Sequence, residues 1–401
     1  MTVAVMTGSG TGPDPVGAAR SAVAEVVEGL GGRTPDLAVI FVGAAYAPHL
    51  EALDEVIGDG LAPQHRIGTT TGGVIADGNE LERLDCLSVW AACLPGAHIT
   101  PLRYEVSADE VSPATWPEPP LDARGVIAFA DPGTFPPDAF LAWLEQARPG
   151  LPVSGGLASA GRGNRLLLDG RVYDGGAVAV AIGGDVHLRT LVSQGCRPVG
   201  NSYTVTRADR NLLQELGGAL PVQRVRETFT HADPTDQGLM RHGLHIGTVI
   251  DEYKESYHRG DFLVRGVLGA ESGTGAIAVG DVVRVGQTVQ FHVRDARSAD
   301  EDLRELLGRF AEDAPRPEAA LLFTCNGRGR RLFQTPDHDA SVVREILGDI
   351  PLAGFFCAGE FGPVGSRSFL HGFTASLLVF DRPADASHTA QGTDACNPGE
   401  T

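Results

Sequence analysis

Two glycine-rich phrases carry the side chains best suited to chemistry: CNGRG at 325–329, after the apolar run AALLFT, and CAGEFG at 357–362, after the apolar stretch PLAGFF. Each apolar run has the length and composition of a buried strand, so Arg328 and Glu360 are expected at corresponding strand ends. A guanidinium grips a carboxylate in a planar, two-bond fashion, and a carboxylate grips an ammonium. Facing each other across a cleft, the pair would hold a small zwitterion. The plainer alternatives are two solvent-exposed turn charges, or a bridge between the two that serves only shape. Asn326 offers an amide contact or a tolerant turn residue. Gly327, Gly329, Gly359 and Gly362 are expected to bring backbone to the edge of one shared cleft. On this reading Arg328 is an exposed cleft residue that matters for binding and little for stability.

Further candidates surround that pair. Arg294 ends the alternating strand GQTVQFHVRD and could bind an anion beside the same cleft; Asp295 is expected to cap the helix that follows. Arg265 interrupts the apolar run FLVRGVLG, so it either snorkels to solvent or is buried with a carboxylate partner, which Asp295 or Glu360 could supply. The turn GTTTGG supplies hydroxyls from Thr69, Thr70 and Thr71 and backbone amides from Gly72 and Gly73, enough to cradle a carboxylate. It lacks the lysine of a phosphate-binding loop, which argues against nucleotide hydrolysis. Cys325 and Cys357 read as buried thiols. A nucleophilic Cys325 would need a base from His292, His338 or His371, none of them adjacent in sequence.

These residues need a frame, and the sequence writes one three times. DLAVIFVG…GTTTGGVIADG, RGVIAFADPG…GGLASAG and AALLFTCNGRG…CAGEFGP each run strand, loop, helix, strand, Gly-rich turn, and each is followed by a further strand, LDCLSVWAACL, GAVAVAIGG and HGFTASLLVF. Phe140, Leu141 and Leu144 share one helical stripe, as do Val342, Val343, Ile346 and Leu347. Continuous apolar strands imply sheets covered on both faces and partly parallel, which puts ligands beyond the C-terminal strand ends. The fold class is therefore α/β with mixed sheets, built from repeated strand-helix-strand-strand units that form two related halves packed together. Residues 1–34 are expected to be a partly flexible N-terminal segment, 35–219 and 220–381 the two domains, and 382–401 a disordered tail.

Composition narrows the function. The chain of 401 residues has a net charge of −19 and a single lysine, Lys254, so any anion grip must come from arginine. Such an acidic surface disfavours nucleic acid and anionic membranes. The six cysteines show no CxxC spacing, which argues against zinc and disulfides and for a reducing cytoplasm. No signal peptide, membrane span or cofactor is expected.

At VQFHVRDARSADEDL, FTCNGRG and PLAGFFCAGEFGPV the sequence closely resembles the FIST domain family, with DFLVRGVLG lying where the family carries a similar strand. The stretch through IGTTTGGVIADG and GGLASAG is similar to the N-terminal FIST half, and residues from about 220 to 381 to the C-terminal half. The resemblance implies a sensory signal-transduction module that binds a small molecule, amino acids being the usual proposal. With no room in the flanks for an output domain, it implies a stand-alone protein that signals through a separate partner. Catalysis is not expected; the alternatives are an enzyme with Cys325 as covalent nucleophile and a non-catalytic interaction scaffold.

Overall fold

The structure, a computed structural model, describes residues 3–106, 113–312 and 317–382. It contains three six-stranded sheets and one closed six-stranded barrel, and the three sheets follow one plan. In the first unit the core strand Leu37–Gly43 leads through the helix Leu50–Leu61 to the parallel strand His65–Thr71. The hairpin Val74–Ala76/Asn79–Leu81 follows, and Cys86–Cys93 returns antiparallel to the core strand. The second unit repeats this with Ala123–Ala130, Pro137–Ala147, Val153–Leu157, Leu166–Leu168/Arg171–Tyr173 and Ala177–Gly184. The third has Pro317–Cys325, His338–Leu347, Leu352–Cys357, Glu360–Val364/Arg367–His371 and Thr374–Asp381. A leading strand precedes each unit and pairs with its return strand: Ala4–Thr11, Ala97–Tyr104 and His187–Gln194. The strand-helix-strand-strand repeat read from sequence is present, with a hairpin between its last two strands.

The hairpins exchange partners in a ring. The first unit's hairpin extends the third sheet, pairing Ala353 with Ala76. The second unit's hairpin extends the first sheet, pairing Leu166 with Thr69. The third unit's hairpin extends the second sheet, pairing Glu360 with Gly156. The matching core-strand residues Phe41, Phe129 and Phe323 consequently meet in the middle, with ring centroids 5.6, 6.1 and 6.4 Å apart. Mostly edge-on contacts of this kind suit the aromatic quadrupole and add to the apolar burial. Their core is shared by all three units.

Residues read as a partly flexible N-terminal segment instead form the first leading strand and the helix Pro15–Leu30. Gly8 and Gly10 let the helix lie directly on the strand: a Cβ on either would sit 2.1 Å from the carbonyl oxygen of Ala22 or Ala18. In the tail, residues 383–401 lie outside the described residues.

The barrel is inserted into the third unit, between its leading strand and its core strand. Its strands run from Cys196–Asp209 to Thr288–Arg294, and the helices Pro221–His231 and Pro234–His242 sit between them in sequence. The helix Ala296–Glu312 then returns the chain to the third sheet. Asp295 caps that helix, accepting from Arg297 N at 3.2 Å and from Ser298 Oγ at 2.7 Å. No helix among the described residues is long and apolar enough to cross a membrane.

Candidate functional site

The parallel strands of the three units end around the central axis, and their turns are tied together there. Thr71 Oγ1 lies 3.1 Å from Phe356 O and 3.0 Å from Ser159 Oγ, so one buried hydroxyl touches all three units. Thr70 Oγ1 donates to Gly163 O at 2.9 Å and accepts from Arg165 N at 2.7 Å. The amides expected to be free are occupied: Gly72 N donates to Ser159 Oγ and Gly73 N to Thr71 Oγ1. Thr70 and Thr71 are thus fasteners between units rather than a carboxylate cradle, because their hydroxyls and the neighbouring amides satisfy one another. Asn326 caps this end, its N–H donating to Cys357 O at 2.9 Å and its Oδ1 lying beside Gly72.

Arg328 is not an exposed cleft residue. Its guanidinium is 1% exposed and makes two bonds to Asp339, from Nε to Oδ2 at 2.7 Å and from Nη2 to Oδ1 at 2.8 Å. The turn Cys325–Gly329 folds back over the strand end, with Arg328 N bonding Cys325 O, and this points the side chain inward. Glu360 is also fully buried. Its Oε2 accepts from Thr374 Oγ1 at 2.8 Å and Thr374 N at 3.2 Å, while Oε1 has no hydrogen-bond partner among the described residues. Burial pushes the Glu360 carboxyl up to about 8, with Thr374 and the Arg328 charge pulling the other way. A neutral carboxyl in the interior cannot serve as an ammonium counter-ion at a cleft.

The glycines do not line one cleft either. Gly327 lies against Arg294 and Phe373, and Gly329 against Glu82 and Phe356. Gly359 packs on Leu370 and Leu157, and Gly362 on Val192 and Ser376. Gly359 is close-packed because the third unit's hairpin joins the second sheet there: a Cβ on Gly156 would sit 2.6 Å from Gly359 O.

Cys325 and Cys357 are buried, as expected. Burial, and after it the nearby Glu360, pushes the Cys325 thiol up to about 12. No histidine hydrogen-bonds it among the described residues. His371 Nε2 bonds Gly362 O, His292 Nδ1 bonds Gln290 O, and His338 bridges Asp339 and Asp300. Arg265 pairs with Asp281 at 3.0 Å and donates to Leu370 O, rather than meeting Asp295 or Glu360. The strand that carries Arg265 pairs only within the barrel, and its guanidinium reaches Glu360's hairpin at the Leu370 carbonyl rather than at the carboxyl.

Arg294 does face open space. It lines a cavity of about 490 Å³ where the barrel meets the third unit, together with Arg331, His245, His242, Leu332 and Gln334. Its guanidinium donates to Gly327 O and lies over the Phe373 ring. Neither Arg294 nor Arg331 makes an ion pair among the described residues, although the chain carries a net charge of −19. His245 is buried, and its Nδ1 has no hydrogen-bond partner among the described residues. Burial, then the Arg294 charge, drives the His245 imidazole down to about 4, so it is neutral at physiological pH. A neutral imidazole presents one donor and one acceptor nitrogen.

The cavity therefore combines two positive groups without counter-ions and one uncharged imidazole. Sequence reading found Arg294 and missed Arg331 and His245. The consecutive arginines Arg330 and Arg331, directly after the glycine turn, were the available signal for the first. His245 carried none, since a histidine in LHIGTV reads as an ordinary strand residue.

Comparison with known proteins matches residues 36–219 to the FIST N domain and residues 221–363 to the FIST C domain. The chain is 42% identical over 391 residues to an uncharacterized protein of Mycobacterium tuberculosis (strain ATCC 25618 / H37Rv), covering 93% of this chain and 98% of that one. An uncharacterized protein of Mycobacterium bovis is 41% identical over 388 residues, covering 92% and 97%.

Proposed function

The chain belongs to the FIST family, with N and C domains together, and from that premise we propose that it is a small-ligand sensor whose ligand sits in the cavity at Arg294. One observation carries this reading: Arg294 and Arg331 line a single cavity without a carboxylate partner among the described residues. In so acidic a chain, two guanidinium groups lining one cavity without carboxylate partners favour an anion, and their planar donors suit a carboxylate. An amino acid fits if its ammonium is received by neutral acceptors, His245 and Gln334, since no acidic side chain lines the cavity. The volume lies within the range of small-molecule sites.

Occupancy has a route outward. Arg294 holds the Gly327 carbonyl, and the same turn carries Arg328 to its buried partner. A ligand that draws Arg294 away from Gly327 would loosen that turn, and a separate partner protein would read the change. The ligand leaves unchanged: beside the arginines the cavity lining carries two histidines, His242 and His245, and no Cys, Ser, Thr, Lys or acidic side chain. The five cysteines among the described residues are free and buried, which supports a reducing, cytoplasmic setting.

A thermal-shift screen of amino acids and small carboxylates tests the proposal. A true ligand raises the melting temperature progressively with concentration, and Arg294→Gln removes the effect. If the shift persists in Arg294→Gln, the site is elsewhere; if no compound shifts the melt, the scaffold reading stands. A hit whose mass changes on incubation, with the change lost in Cys325→Ser, would establish the enzyme instead.

A further inference from the structure

The helices Pro221–His231 and Pro234–His242 enclose a second recess, a groove of about 350 Å³. Val225, Phe229, Met240 and Leu244 form its floor, and Arg226 and Arg241 stand at its margins. Both arginines are exposed, and neither makes an ion pair among the described residues. Arg241 lies over the Phe229 ring, 4.9 Å from its centroid, which holds the charge at the edge of the apolar floor. Elsewhere arginine meets carboxylate repeatedly, as at Arg66–Asp54, Arg189–Asp381, Arg197–Asp236 and Arg265–Asp281. Here an acidic chain leaves two exposed positive groups flanking a half-buried apolar floor.

We infer that this groove docks an amphipathic helix of a partner protein, apolar along one stripe and acidic beside it. The floor is built chiefly from two helices and offers no row of free strand amides, so a docked peptide gains nothing from extending as a strand. It gains by laying an apolar face into the groove, the helix-in-groove mode. The flanking arginines select acidic residues on that helix and disfavour basic ones. A second copy of this chain, at −19, would bring mostly repulsion to the rest of the contact.

The groove adjoins the proposed ligand cavity. Leu244 lines both, and in the helix Pro234–His242 Leu239 and His242 face the cavity while Met240 and Arg241 face the groove. A partner seated here would rest on the element the ligand touches. Docking in the groove is independent of ligand binding at Arg294, which does not line the groove, so Arg294→Gln removes the ligand's effect while leaving the groove intact.

Panning a displayed library of helical peptides against the full-length protein decides it. Enriched sequences are expected to carry apolar residues at i, i+4 and i+7 with Asp or Glu alongside. They should bind the double variant R226E/R241E about tenfold more weakly or worse, with an unchanged melt because both side chains are exposed. Lys-substituted versions of the same peptides should recover binding to that variant. Enrichment without acidic bias, equal binding to the double variant, or no enrichment would overturn the inference. So would self-association of the protein that the double variant abolishes, since that puts a second copy in the groove.

Discussion

Arg328 and Asp339 form a doubly bonded ion pair in the interior, 1% and 0% exposed. Asp339 also accepts from Thr324 Oγ1 at 2.7 Å and lies 2.9 Å from His338 Nδ1. Burial alone would raise its pKa, but the Arg328 charge and hydrogen bonds hold it well below the ordinary carboxylate range. The pair fixes the turn that carries Gly327, and through the Gly327 carbonyl it fixes Arg294.

Removing one partner leaves a bare charge in the interior. Arg328→Ala should cost about 3–5 kcal/mol of stability, seen as an earlier urea-unfolding midpoint. The double variant Arg328→Met/Asp339→Leu should lose much less. A single variant that unfolds at the wild-type midpoint would contradict this.

Stability should decline from about pH 6.5 to 8. In the fold Glu360 keeps its proton until about 8, whereas its ordinary value is 4.5. Glu80 behaves likewise, raised to about 8 by burial and by Asp339. Between the two values the folded chain holds more protons than the unfolded one, so rising pH favours unfolding. The neutral histidines His245, His292 and His371, lowered to about 4, act in the opposite sense. Their contribution is lost as pH falls from the ordinary 6.5 toward 4, which leaves the alkaline side to the glutamates. Glu360→Gln should remove about half of the decline above pH 6.5, on the order of 1–2 kcal/mol. Denaturation at a series of pH values checks this; an unaltered slope in the variant would exclude Glu360 as its source.

Cys325 should resist alkylation in the native protein. Burial leaves it almost wholly protonated at neutral pH, and the thiolate is the reactive form. In a Cys396→Ser background, iodoacetamide followed by peptide mapping should find Cys325 and Cys357 unmodified after an hour, and modified at once in denaturant. Rapid native labelling of Cys325 would revive the nucleophile.

The repeated units were legible because each is a local event: an apolar strand, an amphipathic helix, a parallel strand. The placement of Arg328 was not. Its neighbours in sequence are glycine and arginine, which read as solvent, while the residue that draws it inward, Asp339, lies on the next helix. Glu360 misled for a related reason: its hairpin joins the second unit's sheet, and pairing between distant units leaves no local mark. Arg294 was legible because it closes an alternating strand. The cavity before it was not, since its other walls come from residues 239–245, 266–267 and 331–334.

The ring of exchanged hairpins has a consequence for the two matched domains. A cut between residues 219 and 220 would strip the first sheet of nothing, but would deprive the second sheet of Glu360–Val364/Arg367–His371 and the third of both Val74–Ala76/Asn79–Leu81 and its leading strand His187–Gln194. It would also divide the barrel, whose strands Cys196–Asp209 and Leu212–Leu216 precede the cut while the other four follow it. The two sequence families describe lengths of inheritance rather than separable bodies. Each fragment alone would present bare sheet edges to solvent, and the two together would behave as complementing halves that regain a fold only on meeting.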